Sequence, residues 1–181
     1  MPAIETSEQV VRSRNGDPEA FAMLVAEHQR MIHALCFRMT GSMADAEDLA
    51  QETFIQAYRH LAGFRGEAGF GSWLYRIAVN HCLNWKKRHA RQQELLNEWG
   101  RQELTESTSE EPARHPVQEA LMKLPAKQRA AVILTTYDGL SHAEAAEALG
   151  CSETTVSWRL FAARRKLRRL LKNLQPVGGS L

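Results

Sequence analysis

Apolar residues recur at three- and four-residue steps along most of the chain. No stretch of useful length alternates with the two-residue period of a strand, so the pattern predicts an all-α protein. The first stripe is Phe21, Leu24, Val25, His28, Ile32, Leu35 and Met39. Asp17-Pro18-Glu19 opens it with an N-cap side chain, a proline at the first helical position and an acid in the first turn. Gly41 ends it. Ser42 then caps a second helix, with Asp45 three residues on and Leu49, Thr53, Ala57 and Leu61 along one face. Gly63, Gly66, Gly69 and Gly71 predict a loop. From Ser72 a third helix turns Leu74, Ile77, Ala78 and Leu83 inward and runs into Lys86, Lys87, Arg88 and Arg91.

The periodicity is lost over residues 92–115, where six glutamates stand among Ser, Thr and Pro. That composition predicts a mobile acidic linker, helical at most in its first part. A second helical module begins near Pro116. Val117, Leu121 and Leu124 form a short helix, and Pro125 starts another carrying Ala130, Ile133, Leu134 and Tyr137. Asp138-Gly139 turns the chain. Ser141 caps a helix with Ala145, Ala146 and Leu149, and Gly150-Cys151-Ser152 forms a three-residue turn. A long final helix follows, with Val156, Leu160, Ala163, Leu167 and Leu171 inward. The chain therefore divides into a tail at 1–15, a module at 16–91, the linker at 92–115, a second module at 116–174 and a tail at 175–181.

Charge sharpens this division. The net charge of +2 conceals a basic C-terminal third, with 10 Lys/Arg against 5 Asp/Glu over residues 116–181, and an acidic linker with 2 against 6. A polyanion is the partner that such a C-terminal module suits. The segment 141–170 reads as a helix-turn-helix, whose second helix enters the DNA major groove. Its outward residues are Thr154, Thr155, Ser157, Trp158, Phe161 and Arg165, with Arg159, Arg164 and Lys166 extending a basic surface. An ordinary helical hairpin with a solvated basic face would share the pattern. The capped turn, the small Ala146 at the crossing and seven Lys/Arg between 159 and 172 favour DNA.

A second candidate lies between the helices of the first module. Phe64-Arg65-Gly66-Glu67-Ala68-Gly69-Phe70 is a glycine-rich loop with two aromatics, ahead of a helix that ends in cations. Rings beside positive charge suit unpaired DNA, because bases stack while cations hold phosphates. Trp73 and Tyr75 fit the core equally well.

Other chemistries find no support. Cys36, Cys82 and Cys151 are far apart, odd in number and form no CxxC, so buried thiols are expected rather than zinc or disulfides. The seven histidines make no metal motif, and no phosphate loop or nucleophile motif appears. We expect no cofactor and no catalysis. No run approaches 18 apolar residues, and the first residues carry Glu5 and Glu8 without an apolar core. A cytoplasmic protein with no membrane insertion is the expectation.

Taken together, these strings resemble the extracytoplasmic-function sigma factors, the two-domain members of the sigma-70 class. In the first module the resemblance rests on Asp45-Ala46-Glu47-Asp48-Leu49-Ala50-Gln51-Glu52-Thr53-Phe54, on Phe64-Arg65-Gly66 and on Trp73-Leu74-Tyr75-Arg76-Ile77-Ala78-Val79-Asn80. In the second it rests on Leu124-Pro125, Gln128-Arg129 and the helix-turn-helix through Arg164. It implies that Asp45, Asp48, Gln51, Glu52 and Phe54 face core RNA polymerase at its β′ clamp, with the β flap as a further contact. It implies that Phe64, Arg65 and Phe70 help capture a flipped base of the −10 element. Arg76, Asn80, Asn84, Lys86, Lys87 and Arg88 would read and hold that element. The last helix would read the −35 element, and an anti-sigma factor is an implied partner. The chain departs from some relatives at Ser157 and Ala162, where they carry arginine, and at Trp158, where they carry a small polar residue. A stand-alone helix-turn-helix regulator would explain the second module but leave the Asp45–Phe54 face and the aromatic loop unused.

Overall fold

The structure, a computed structural model, describes residues 3–64, 66, 69–98 and 116–172. Every regular element among them is helical. Helix α1 spans Ala3–Arg14, α2 Pro18–Thr40, α3 Met43–His60 and α4 Phe70–Glu98, with a short 3₁₀ turn at Leu61–Gly63. Helix α5 spans Pro116–Met122, and α6 spans Ala126–Val132 and runs on as a π turn through Ile133–Tyr137. The last two helices are α7, His142–Leu149, and α8, Glu153–Lys172.

Local chemistry sets most of these boundaries. The Asp17 carboxylate accepts from the Glu19 and Ala20 amides at 3.0 and 3.1 Å and so caps α2. Gly41, at φ +76°, returns its N–H to Phe37 and ends the same helix in a left-handed conformation that a side chain would oppose. Ser141 and Glu144 form a reciprocal capping box at α7. Gly150 closes α7 at φ +57°, making the tight turn into α8.

One feature differs from the expected organisation. The segment expected to be a tail is helix α1, which packs on α2 with Val10 and Ser13 buried. Arg12 holds it there, donating through Nη2 and Nε to Asp17 Oδ2 at 2.8 and 3.0 Å. One residue thus caps α2 and anchors α1, which apolar periodicity does not reveal. Helix α4 continues to Glu98, the first part of the linker, where helix was expected; residues 99–115 lie outside the described ones.

The first module packs α2, α3 and α4 around Leu24, Ile32, Leu35, Leu49, Leu74 and Val79. The second packs α6, α7 and α8 around Leu124, Ile133, Leu134, Val156 and Leu160. The two modules also pack on each other, α4 against α7 and α2 against α5, and their cores are continuous. Gln118 donates to the Phe37 carbonyl at 3.2 Å. Arg38 lies 3.6 Å from Asp138 and sits over the Tyr137 ring, 4.6 Å from its centre.

Arg129 is the centre of this contact. It is fully buried. Its guanidinium donates to the carbonyls of Leu121 at 2.8 Å, Met122 at 2.7 Å and Leu124 at 3.1 Å, and across the module boundary to the Met39 carbonyl. Leu121 and Met122 end α5, and Met39 lies in the last turn of α2. Both helix ends present carbonyls without intrahelical partners and a partial negative charge. These groups solvate the buried cation in place of a carboxylate. Burial still lowers the Arg129 pKa from its usual value.

Candidate nucleic-acid and protein interfaces

Helix α8 divides into two faces. Val156, Leu160 and Ala163 are buried against α6 and α7. On the opposite side Thr154, Trp158, Phe161 and Arg165 follow at four-, three- and four-residue steps, and all four are exposed. Trp158 is 64% and Phe161 67% exposed. Arg164, Arg168 and Arg169 are exposed beside this stripe, whereas Lys166 is half-buried at its edge.

Three of the residues expected at this surface are engaged within the protein. Ser157 Oγ and His142 Nδ1 share a hydrogen bond of 3.1 Å, tying α8 to the start of α7. Arg159 donates to Cys151 Sγ at 3.3 Å. The Thr155 amide and hydroxyl both contact Ser152 Oγ, which caps α8. The groups most free to meet a partner are therefore Thr154, the two aromatics and Arg164, Arg165, Arg168 and Arg169.

Helix α3 presents Asp48, Gln51 and Glu52 together on its exposed face, joined by Ile55. Glu52 lies 3.4 Å from His81 Nδ1 on α4. Asp45 stands apart from this group: its carboxylate accepts from Trp85 Nε1 at 3.0 Å and ties α3 to α4. Phe54 is half-buried and lines an open groove of about 770 Å³ between α2 and α3. Phe21, Val25, His33, Ala50, Ile55 and Tyr58 line the same groove, and Phe21 meets Tyr58 edge-on at 4.9 Å. Sequence reasoning missed this groove. The available signal was Ile55 and Tyr58, apolar groups on a helix face otherwise polar.

Along α4, Arg76, Asn80, Asn84 and Lys87 are exposed within one face, and Arg88 is exposed beside them. Lys86 points another way. It is half-buried towards the second module, and burial followed by the repulsion of Arg129 lowers its pKa.

The two aromatic ends of the glycine-rich segment turn inward. Phe64 and Phe70 are both buried. Their rings lie 5.9 Å apart, and each packs on Trp73, at 4.9 and 5.7 Å. Phe70 also meets His28 edge-on at 5.4 Å. Two apolar rings at the ends of a glycine-rich segment gain more by closing over the start of α4 than by standing in water. Neither ring is free to stack on a base in this state. Arg65 lies outside the described residues.

A polar cluster joins the modules. Asp138 is pushed up to about 6, chiefly by burial, against the opposing effects of Arg38 and of the Tyr75 hydroxyl. Burial and Asp138 push the Tyr75 hydroxyl up as well. The buried thiols Cys36 and Cys82 lie 3.8 Å apart and are free. The hydrogen bond to Cys36, together with burial, raises the Cys82 pKa. Among the described residues no group of His, Cys, Asp and Glu is arranged to hold a metal ion, and no helix is long and apolar enough to cross a membrane.

The comparisons with known proteins agree on both modules. Residues 24–92 match the family described as Sigma-70 region 2, and residues 114–167 match Sigma-70, region 4, together more than half of the chain. The chain is 37% identical over 156 residues to ECF RNA polymerase sigma factor SigM of Mycobacterium tuberculosis, covering 86% of this chain and 79% of that one. It is 35% identical over 188 residues to the RNA polymerase sigma-H factor of Pseudomonas aeruginosa, covering 96% of each. Among solved structures, CnrH in complex with the cytosolic domain of CnrY is similar at a TM-score of 0.72 and 28% identity, over 93% of this chain and 98% of that one. The sigma factor RpoE in complex with the anti-sigma factor NepR from Bartonella quintana is similar at 0.68 and 28%, over 84% and 96%.

Proposed function

Because the chain belongs to the extracytoplasmic-function group of sigma-70 factors, we propose that it binds core RNA polymerase and directs it to promoters with a −35 and a −10 element. It carries out no chemistry itself, and the polymerase performs phosphoryl transfer. The observation that carries this reading is the pairing of two separate outward surfaces on one chain. The α8 stripe, with its arginine border, has the form of a duplex reader. The α3 face, with its adjoining groove, has the form of a protein-docking surface. A stand-alone DNA-binding regulator would use only the first.

The surfaces divide the work. Thr154, Trp158, Phe161 and Arg165 meet the −35 duplex, with Arg164 and Arg168 on phosphates. Arg76, Asn80, Asn84 and Lys87 meet the −10 strand. The Phe64–Phe70–Trp73 cluster supports the start of α4, from which those residues project. Asp48, Gln51, Glu52 and the Phe54 groove take the polymerase clamp. The protein works in the cytoplasm, and a protein inhibitor of the anti-sigma type occupies these surfaces when it is silent. Two of the similar solved structures hold a partner protein on a chain of this fold.

Run-off transcription with purified core polymerase tests the proposal. Adding the chain should produce discrete starts from genomic templates that core alone does not use. Specific duplex binding by the chain alone, with no change in transcription by core, would instead mark a stand-alone regulator.

A further inference from the structure

We propose that Trp158 and Phe161 form an apolar reading edge that selects thymine 5-methyl groups at neighbouring base pairs of the −35 element. The inference rests on the reading of α8 as the duplex-facing helix. These are the two most exposed large apolar side chains among the described residues, at 64% and 67%. They do not serve the core, whose α8 members Val156, Leu160 and Ala163 lie on the opposite side. They fall three residues apart in the N-terminal half of α8, the part of a recognition helix that reaches base edges. A three-residue rise of about 4.5 Å is close to the step of about 3.4 Å between base pairs, so the rings face adjacent pairs.

The chemistry of the groove selects the ligand. The thymine methyl is the one apolar group that the four base pairs display in the major groove. An indole N–H is a donor only. Trp158 can cover the methyl with its ring while donating to thymine O4. Cytosine opposes it twice, having no methyl and presenting an amino donor to the indole donor. The nearest polar alternatives are occupied, since Ser157 is bonded to His142 and Arg159 to Cys151. Arg164, Arg165 and Arg168 stand exposed around the pair. That cationic border suits nucleic acid and would be poorly matched to an apolar protein surface.

The test uses the holoenzyme of this chain with core polymerase. Selection from a randomised −35 duplex should enrich thymine at two adjacent positions. Replacing those thymines by deoxyuridine removes only the methyls. The expected loss is about fourfold per position, which corresponds to the ~0.8 kcal/mol of a buried methyl-sized group. The same replacement should have no effect for a Trp158→Ala holoenzyme at one position, or for Phe161→Ala at the other. 5-Methylcytosine should recover part of the binding lost when cytosine stands at either position. Absence of thymine enrichment, deoxyuridine without effect on the native holoenzyme, or an unchanged deoxyuridine effect in both variants would overturn the proposal. Loss of core binding in Trp158→Ala, with −35 selection intact, would also overturn it and give the pair to a protein contact. Arg164→Ala with Arg165→Ala separates the two levels. If that variant keeps both −35 affinity and its salt dependence, the reading of α8 as the duplex helix fails as well.

Discussion

Replacing Arg129 by methionine should destabilise the whole chain by about 3–5 kcal/mol, the cost of breaking a buried charged network. Methionine keeps much of the apolar stem and removes the fork of donors. Three carbonyls then lose their donor, Met122, Leu124 and Met39, while Leu121 keeps the amide of Leu124 at 3.0 Å. Each buried unpaired acceptor costs about 1–3 kcal/mol. Part of that loss is offset because the cation no longer has to be desolvated, a cost visible in its lowered pKa. The remainder is a large share of the roughly 5–15 kcal/mol that holds a domain folded. Lysine should fall between, since one ammonium cannot span acceptors that a planar fork reaches together. Urea unfolding followed by circular dichroism measures the difference. Gln118→Ala, which removes a single cross-module donor, should cost about 1 kcal/mol and calibrates the scale. An Arg129→Met chain within about 1 kcal/mol of the native one would refute the idea that the guanidinium is the polar centre of the fold.

Asp138 gives a pH-dependent counterpart. Its pKa is raised in the folded state to about 6 from 3.8, so the folded chain holds the proton more tightly than the unfolded one. Stability therefore falls as pH rises from about 4 to about 6 and stays at the lower level above that window. Asp138→Asn should flatten this dependence and stabilise the chain at neutral pH by about 1–3 kcal/mol, read from unfolding midpoints at pH 5 and pH 8. Phe70→Ala should lower stability by about 3–5 kcal/mol, as a buried ring does. Native-like unfolding together with a selective loss of promoter opening would return Phe70 to DNA contact. Asp48→Arg with Glu52→Arg should leave stability unchanged within about 0.5 kcal/mol and weaken core polymerase binding by about tenfold or more. A fluorescence titration with unchanged affinity would dismiss the α3 face as the docking surface.

Apart from α1, the helices, their order and their inward faces are legible in the sequence, because these depend on contacts within a few residues. Asp17, Ser42 and Ser141 cap the helices that they precede. Gly41 and Gly150 stop them in left-handed conformations, and the three- and four-residue steps of Leu24 to Met39 and of Val156 to Ala163 name the buried sides. The exposed stripe of α8 follows from the same spacing. Packing alone sets which partners meet across long separations of chain. Arg129 and Met39 are 90 residues apart, and no local pattern announces that a cation will be buried between two helix ends. Phe64 and Phe70 read as free aromatics in a flexible loop, yet their rings close on Trp73 and His28, which only the packed helices bring within reach. Asp45 looks like its neighbours Asp48 and Glu52 until Trp85, 40 residues on, claims its carboxylate. Helical periodicity assigns a side chain to a face. What that face meets is set by packing, where apolar burial and the pairing of buried polar groups outweigh local preference.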